Sequence, residues 1–199
     1  MNVDEPRVAA FLQKKGFQAE GFGKRTRRKL RTPDFRVFKG KKLAFFCEVK
    51  TISRDEWLNQ QLNEAPPGTI VGGPRNDPVF NTLTTKIHRA VQQFDVVNPN
   101  LKFPNVLVFV NHNKMCGAPD LQEVLTTYIA TEDGALHRIS RKFSEGRIRE
   151  EKLRVHLCIW IDRMNGFQLR GYFPNVLAKK HLNSLCNYFG IDRTSIGSI

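Results

Sequence analysis

Two short patterns in the first quarter of this 199-residue chain carry residue types that could do chemistry together. Pro33-Asp34 is followed, after a spacer of thirteen residues, by Glu48-Val49-Lys50. On a strand, side chains two apart leave the same face of a sheet, so Glu48 and Lys50 share a face and Val49 points the other way. If Asp34 comes opposite Glu48, two carboxylates meet, and one must take up a proton unless a cation lies between them. Mg²⁺ or Mn²⁺ suits that role, being hard ions held by carboxylates, water and phosphate oxygens. A lysine beside the ion can neutralise charge on a pentavalent phosphate or help deprotonate an attacking water. The chemistry suggested is metal-assisted hydrolysis of a phosphodiester, with Asp34, Glu48 and Lys50 as its candidate residues.

The element that must position them is a β-hairpin. Phe35, Val37, Leu43, Phe45, Cys47 and Val49 alternate with other residues on either side of Lys39-Gly40-Lys41-Lys42. For Asp34 to oppose Glu48, paired residue numbers must sum to 82, which places the loop at residues 40–42. The same register pairs Phe35 with Cys47 and Val37 with Phe45. Apolar residues then share one face while Asp34, Glu48 and Lys50 share the other. The plain structural reading of the same residues is a hairpin with a turn-forming Pro-Asp and surface charges.

Around the hairpin the pattern is α/β. Residues 6–15 place Val8, Phe11 and Leu12 on one helical face, with Asp4 or Glu5 as cap, Pro6 at the first position and Gly16 at the end. Residues 53–78 read as a long connection, a lid or binding loop, marked by Pro66-Pro67-Gly68 and Gly72-Gly73-Pro74. Leu83, Ile87, Ala90, Val91 and Phe94 recur at helical spacing and predict a second helix ending near Asn98-Pro99. Lys86, His88, Arg89, Gln92 and Gln93 fall on or beside its polar side, where a solvated face is the simplest reading of each. Residues 106–110 predict a strand buried on both faces. Beyond it come a short helix at 119–128, a polar stretch at 132–151, and a second hairpin at 153–162 and 167–173 joined at Asn165-Gly166. Asn175 would cap a last helix with Leu182, Leu185, Cys186 and Phe189 inward and Gly190 after it. A chain of this length can build one core without metal or disulfide staples, so 1–199 is expected to be a single domain.

Charge adds a partner. The net charge is +13, and residues 1–50 alone carry +9 of it. Its densest part holds Lys24, Arg25, Arg27, Arg28, Lys29 and Arg31, six cations in nine residues, which repel one another unless a polyanion comes close. Cys47, Cys116, Cys158 and Cys186 form no C-x-x-C pair and read as small buried hydrophobes. The five histidines include no H-x-x-x-H pair. His112 and Cys116 share a loop but fall short of a zinc site. Trp160 lies within an apolar strand and reads as core; Trp57 could stack on a base or anchor the 53–78 loop.

Together these residues resemble the PD-(D/E)XK nuclease superfamily, the fold of many restriction endonucleases and of archaeal Holliday-junction resolvases. The likeness runs from residue 5 to about residue 110, through a leading helix, Pro33-Asp34, Glu48-Val49-Lys50, a helix at about 79–97 and the following strand. It implies a restriction-endonuclease-like αβββαβ core at about residues 5–112, a mixed central sheet flanked by helices, with one strand weakly marked at 17–22. Residues 113–199 would extend the same domain with a C-terminal hairpin and helix. The residues matching Asp34 and Glu48 bind divalent metal in that family, and the one matching Lys50 is catalytic. Resolvase-like members also carry a glutamate at the start of the first helix, some eleven residues before a Gly-aromatic pair; Glu5, ahead of Gly16-Phe17, is similar, with Glu20 the competing position. The family's second helix often lends a polar side chain to the active site. The 53–78 segment is long for the core, and the chain from Met115 onward has no counterpart in it.

The expectation is therefore a Mg²⁺- or Mn²⁺-dependent nuclease with DNA as the favoured substrate. Asp34, Glu48 and the main-chain carbonyl of Val49 would hold the ion, and Lys50 would serve the water or the phosphate. The cations at 24–31 would grip backbone phosphates without reading sequence. A second copy of the chain is a further candidate partner. With no apolar run long enough to cross a bilayer and no apolar leader, no membrane partner is expected and the cytoplasm is the expected compartment. The alternatives are a non-catalytic nucleic-acid-binding module on the same fold and a basic RNA-associated protein whose acidic residues are incidental.

Overall fold

The computed structural model describes residues 3–23, 30–53, 56–71, 78–126, 128–131, 135–138, 147–164, 168–175 and 177–191. The order begins with α1 (Glu5–Lys14), β1 (Gln18–Gly21), β2 (Phe35–Lys39) and β3 (Lys42–Ile52). It continues with α2 (Glu56–Glu64), α3 (Pro78–Val97), β4 (Asn105–Asn111) and α4 (Ala118–Thr126). A small hairpin of β5 (Tyr128–Ala130) and β6 (Leu136–Arg138) and a 3₁₀ turn (Glu151–Leu153) precede β7 (Leu157–Asp162), β8 (Gln168–Tyr172) and α5 (Lys179–Phe189).

Six strands form one mixed sheet in the order β1-β2-β3-β4-β7-β8. β1, β2 and β3 are antiparallel, β3, β4 and β7 run parallel, and β8 returns antiparallel to β7. Parallel neighbours need crossovers that cover the faces of the sheet. The result is a central sheet with a core on each side. On one face Val8 and Leu12 of α1 and Leu185 of α5 pack on Phe35, Val37, Phe45, Cys47, Val49, Val106 and Val108 of β4, and Leu157 and Ile159 of β7. On the other, Leu83, Ile87 and Phe94 of α3 and Leu121 and Val124 of α4 pack on Phe46, Ile52, Leu107, Phe109 and Trp160. Every residue of β4 is buried, as its unbroken apolar run requires. Among the described residues no helix is long and apolar enough to cross a membrane.

Several expectations need correcting. The β2–β3 register sums to 82 from Phe35↔Cys47 to Val37↔Phe45, but it shifts between Val37 and Phe38. Lys39 then pairs with Lys42, leaving a two-residue turn, Gly40-Lys41, in place of the three-residue loop. Gly40 takes φ +59, the left-handed value that primed two-residue turns need at their first position, and the bulge absorbs the extra residue of β3. The 53–78 segment contains α2, whose nine mostly polar residues, with only Trp57, Leu58 and Leu62 apolar, are outweighed by the Pro and Gly signals that follow them. Asn175 does not cap α5. The N-cap is Ala178, whose N–H donates to the Asn175 side chain at 3.3 Å, while the Asn175 amide donates to the Leu153 carbonyl. Gly190 ends the helix at φ +67, as expected. All four cysteines are buried free thiols, and Trp160 is fully buried.

Candidate active site

β2 begins at Phe35 because Pro33 has no N–H to continue a ladder. β3 runs on to Ile52, paired through that stretch with β4 alone. Past Cys47 its other edge is open, and the backbone shows which groups face it. The Phe46 N–H donates to the Pro104 carbonyl at 3.0 Å, and the Ile52 carbonyl accepts from the His112 N–H at 2.8 Å, so even-numbered residues bond toward β4. Val49 therefore turns its N–H and its carbonyl toward the open edge. Asp34 fills the place a strand would have taken: its carboxylate accepts from the Val49 N–H at 2.8 Å, and its own N–H donates to Glu48 Oε2 at 3.0 Å. The two patterns read in the sequence thus meet through reciprocal hydrogen bonds, and the Val49 carbonyl leaves along the same edge.

Glu48 and Lys50 share the sheet face that α3 covers. This face is more buried than a polar hairpin face would be, with Glu48 2 % exposed between Phe46 and the α3 layer. Lys50 Nζ donates to Glu48 Oε1 at 2.5 Å and to Gln93 Oε1 at 2.7 Å. The Gln93 amide in turn donates to the Thr32 carbonyl at 3.0 Å. Gln93 of α3 therefore ties the lysine to the segment that delivers Asp34. Pattern alone could not choose it among the polar residues of α3; the signal is that it stands beside Ala90 and Phe94, at the border of the apolar stripe.

Burial raises the Asp34 carboxyl, the Val49 N–H works against that, and the Glu5 charge adds to it. Glu48 is pushed up to about 8, by burial first and the Asp34 charge second, with Lys50 opposing. With the Asp34 charge beside it, a proton on Glu48 is how the metal-free site avoids two adjacent buried carboxylates. A divalent cation on Asp34, Glu48 and the Val49 carbonyl would replace that proton and reverse the penalty, so the donor set fits a hard ion completed by water. Among the described residues no group of three or more His, Cys, Asp or Glu side chains is placed to hold a metal. Glu5 is buried at the start of α1 and near enough to act on Asp34 through its charge. Glu20 is engaged elsewhere, with Gln18 at 3.1 Å and Arg36 at 3.6 Å on the β1–β2 edge.

Asp4 was legible only as a cap, yet its carboxylate makes no capping bond. Fully buried, it accepts from the Thr51 hydroxyl at 2.6 Å, His112 Nε2 at 3.0 Å and Arg7 at 3.2 Å. This knot fastens the start of α1 to the ends of β3 and β4, and so holds Glu5 near Asp34. His112 is thereby a structural partner of Asp4, and Cys116 is buried in the core. A cleft of about 310 Å³ opens over the site, lined by Leu30, Arg31, Thr32, Asp34, Lys50, Arg89, Gln92 and Gln93. Among the described residues, Arg31 of the basic run lines it. Lys24, Arg25, Arg27, Arg28 and Lys29 lie outside the described residues, as does the side chain of Trp57. Compared with protein-family models, with curated proteins and with solved structures, the chain finds no match.

Proposed function

We propose that the chain is a Mg²⁺- or Mn²⁺-dependent nuclease that hydrolyses phosphodiester bonds, with DNA as its favoured substrate. The observation that carries the reading is the mutual bonding of Asp34 and Glu48 at an open strand edge with Lys50 beside them, facing a cleft rimmed by Arg31 and Arg89. Asp34, Glu48 and the Val49 carbonyl would hold the ion, which supplies Lewis acidity toward the phosphate and a more acidic water. Lys50, presented by Glu48 and Gln93, would place its positive charge where negative charge gathers on the phosphate oxygens. The element order through β4, three strands after a helix and a parallel strand after α3, supports the reading, with α2 as an addition to the αβββαβ order that the PD-(D/E)XK resemblance implies. The test is incubation of purified protein with end-labelled duplex, branched and single-stranded DNA and with RNA, in Mg²⁺, Mn²⁺ or EDTA. Cleavage that needs the metal supports the reading. Binding without cleavage under every condition leaves the non-catalytic module, and no binding at all removes nucleic acid as the partner.

A further inference from the structure

Gln93, Arg89 and Lys86 lie at steps of four and three residues, so they form one stripe along α3. Gln93 is the end of the stripe that touches Lys50. Arg89 stands about 6 Å farther along the axis and Lys86 about 10 Å, at 1.5 Å per residue. Arg89 lines the cleft with Asp34, Lys50 and Arg31. Lys86 is half-buried at the same flank; burial and then the positive charges of Lys50 and Arg89 hold its pKa below the ordinary lysine value. Arg154, by contrast, bonds Asp95 of α3 itself at 2.5 Å, on a part of the helix away from the cleft. Among the described residues Arg89, Lys86 and Arg31 have no such partner. Unanswered cations that repel one another beside a cleft are what an incoming polyanion relieves. Their spread along the helix is too great for the single phosphate that Lys50 would face.

We propose that Arg89 and Lys86 form a subsite for phosphates flanking the reacting one, so that the chain takes a polynucleotide in preference to a mononucleotide or a simple phosphate ester. The proposal rests on the phosphodiester reading of Asp34, Glu48 and Lys50. The stripe then tracks the backbone, Gln93 at the reacting position and the two cations at its neighbours. Contacts of this kind grip without reading bases.

The experiment is anisotropy binding of a fluorescent single-stranded or duplex DNA oligonucleotide in EDTA, across a range of salt concentrations, for the wild type and for the double variant Lys86→Gln, Arg89→Gln. Thermal melts check folding, which should hold because neither side chain has a partner to lose. The double variant should bind roughly tenfold more weakly or worse at low salt, with the log–log salt slope shallower by about 2 on duplex. Lys102→Gln, an exposed cation outside the cleft, should leave the slope unchanged. Wild-type affinity and slope in the double variant would overturn the subsite. The outcomes also separate the two readings. Metal-dependent cleavage with an unmoved slope removes the subsite and leaves the nuclease, whereas a flattened slope in a protein that cuts nothing leaves the subsite and removes the nuclease.

Discussion

Glu48 keeps a carboxyl buried between Asp34 and Lys50, and that position makes its proton a competitor of any metal ion. Its pKa is raised from 4.5 to about 8, so between those values the folded protein holds a proton that the unfolded chain has released. Stability of the metal-free protein must then fall as pH rises through that window. His156 acts in the opposite direction lower down. It is buried against His181, its Nδ1 accepts from the Asn105 N–H at 2.9 Å, and burial lowers it from 6.5 to about 4. Its contribution is complete above about 6.5 and is lost as pH falls toward 4, by up to about 3 kcal/mol. Above about pH 6.5 the His156 contribution is therefore constant, and the Glu48 effect is not offset by it. In EDTA the melting temperature should fall from there toward about pH 8, and Mn²⁺ should raise it more at the higher pH because less proton has to be displaced. Glu48→Gln should abolish both the fall and the rescue by metal; thermal melts of the two proteins in EDTA and in Mn²⁺ check this. A metal-free melting temperature that climbs through the same window would contradict the burial argument.

At the scale of elements, α3 holds the lysine. Gln93→Leu removes the acceptor on Lys50 and the donor to Thr32 while filling similar space. The loss of one bond to a charged group, about 1.5–3 kcal/mol, should lower kcat by roughly tenfold or more, with DNA affinity unchanged. Gln93→Glu keeps an acceptor for the ammonium and should recover most of the rate. Single-turnover cleavage with a parallel binding measurement separates this positioning role from general loosening of the helix. Much of this geometry was legible in the sequence, because strand parity puts Glu48 and Lys50 together and the same register brings Asp34 across. What was not legible turns on weaker preferences. A two-residue turn with a bulge and a three-residue loop satisfy the apolar pattern of Phe35, Val37 and Phe45 equally, and only the φ of Gly40 and the position of the shift distinguish them. The apolar stripe of α2 is only Trp57, Leu58 and Leu62, too short to outweigh the Pro and Gly residues after it, and β5 and β6, three residues each, are too short to show a period. Asp4 stands where a cap belongs, and no local signal says that its partners, Thr51 and His112, are 47 and 108 residues away.

At the scale of the whole molecule, β3 lies where the sheet changes from antiparallel to parallel pairing. It outruns β2 and leaves one edge open in a buried setting. That edge, α3 above it and the segment leading into β2 make one cleft from three parts of the chain, with positive charge on its rim. Grip and chemistry are thereby assigned to different residues, and they should separate. Lys50→Ala leaves both carboxylates, Arg31, Lys86 and Arg89 in place, so DNA binding should stay close to wild type. The cleavage rate should fall by about 10² or more, the loss typical of one preorganised electrostatic contact. The decisive measurement is the single-turnover cleavage rate of labelled DNA by wild type and Lys50→Ala, in saturating Mg²⁺ and at matched occupancy. A loss of that size with binding retained is the predicted result, and a Lys50→Ala protein that cuts DNA at the wild-type rate would contradict the assignment of this site.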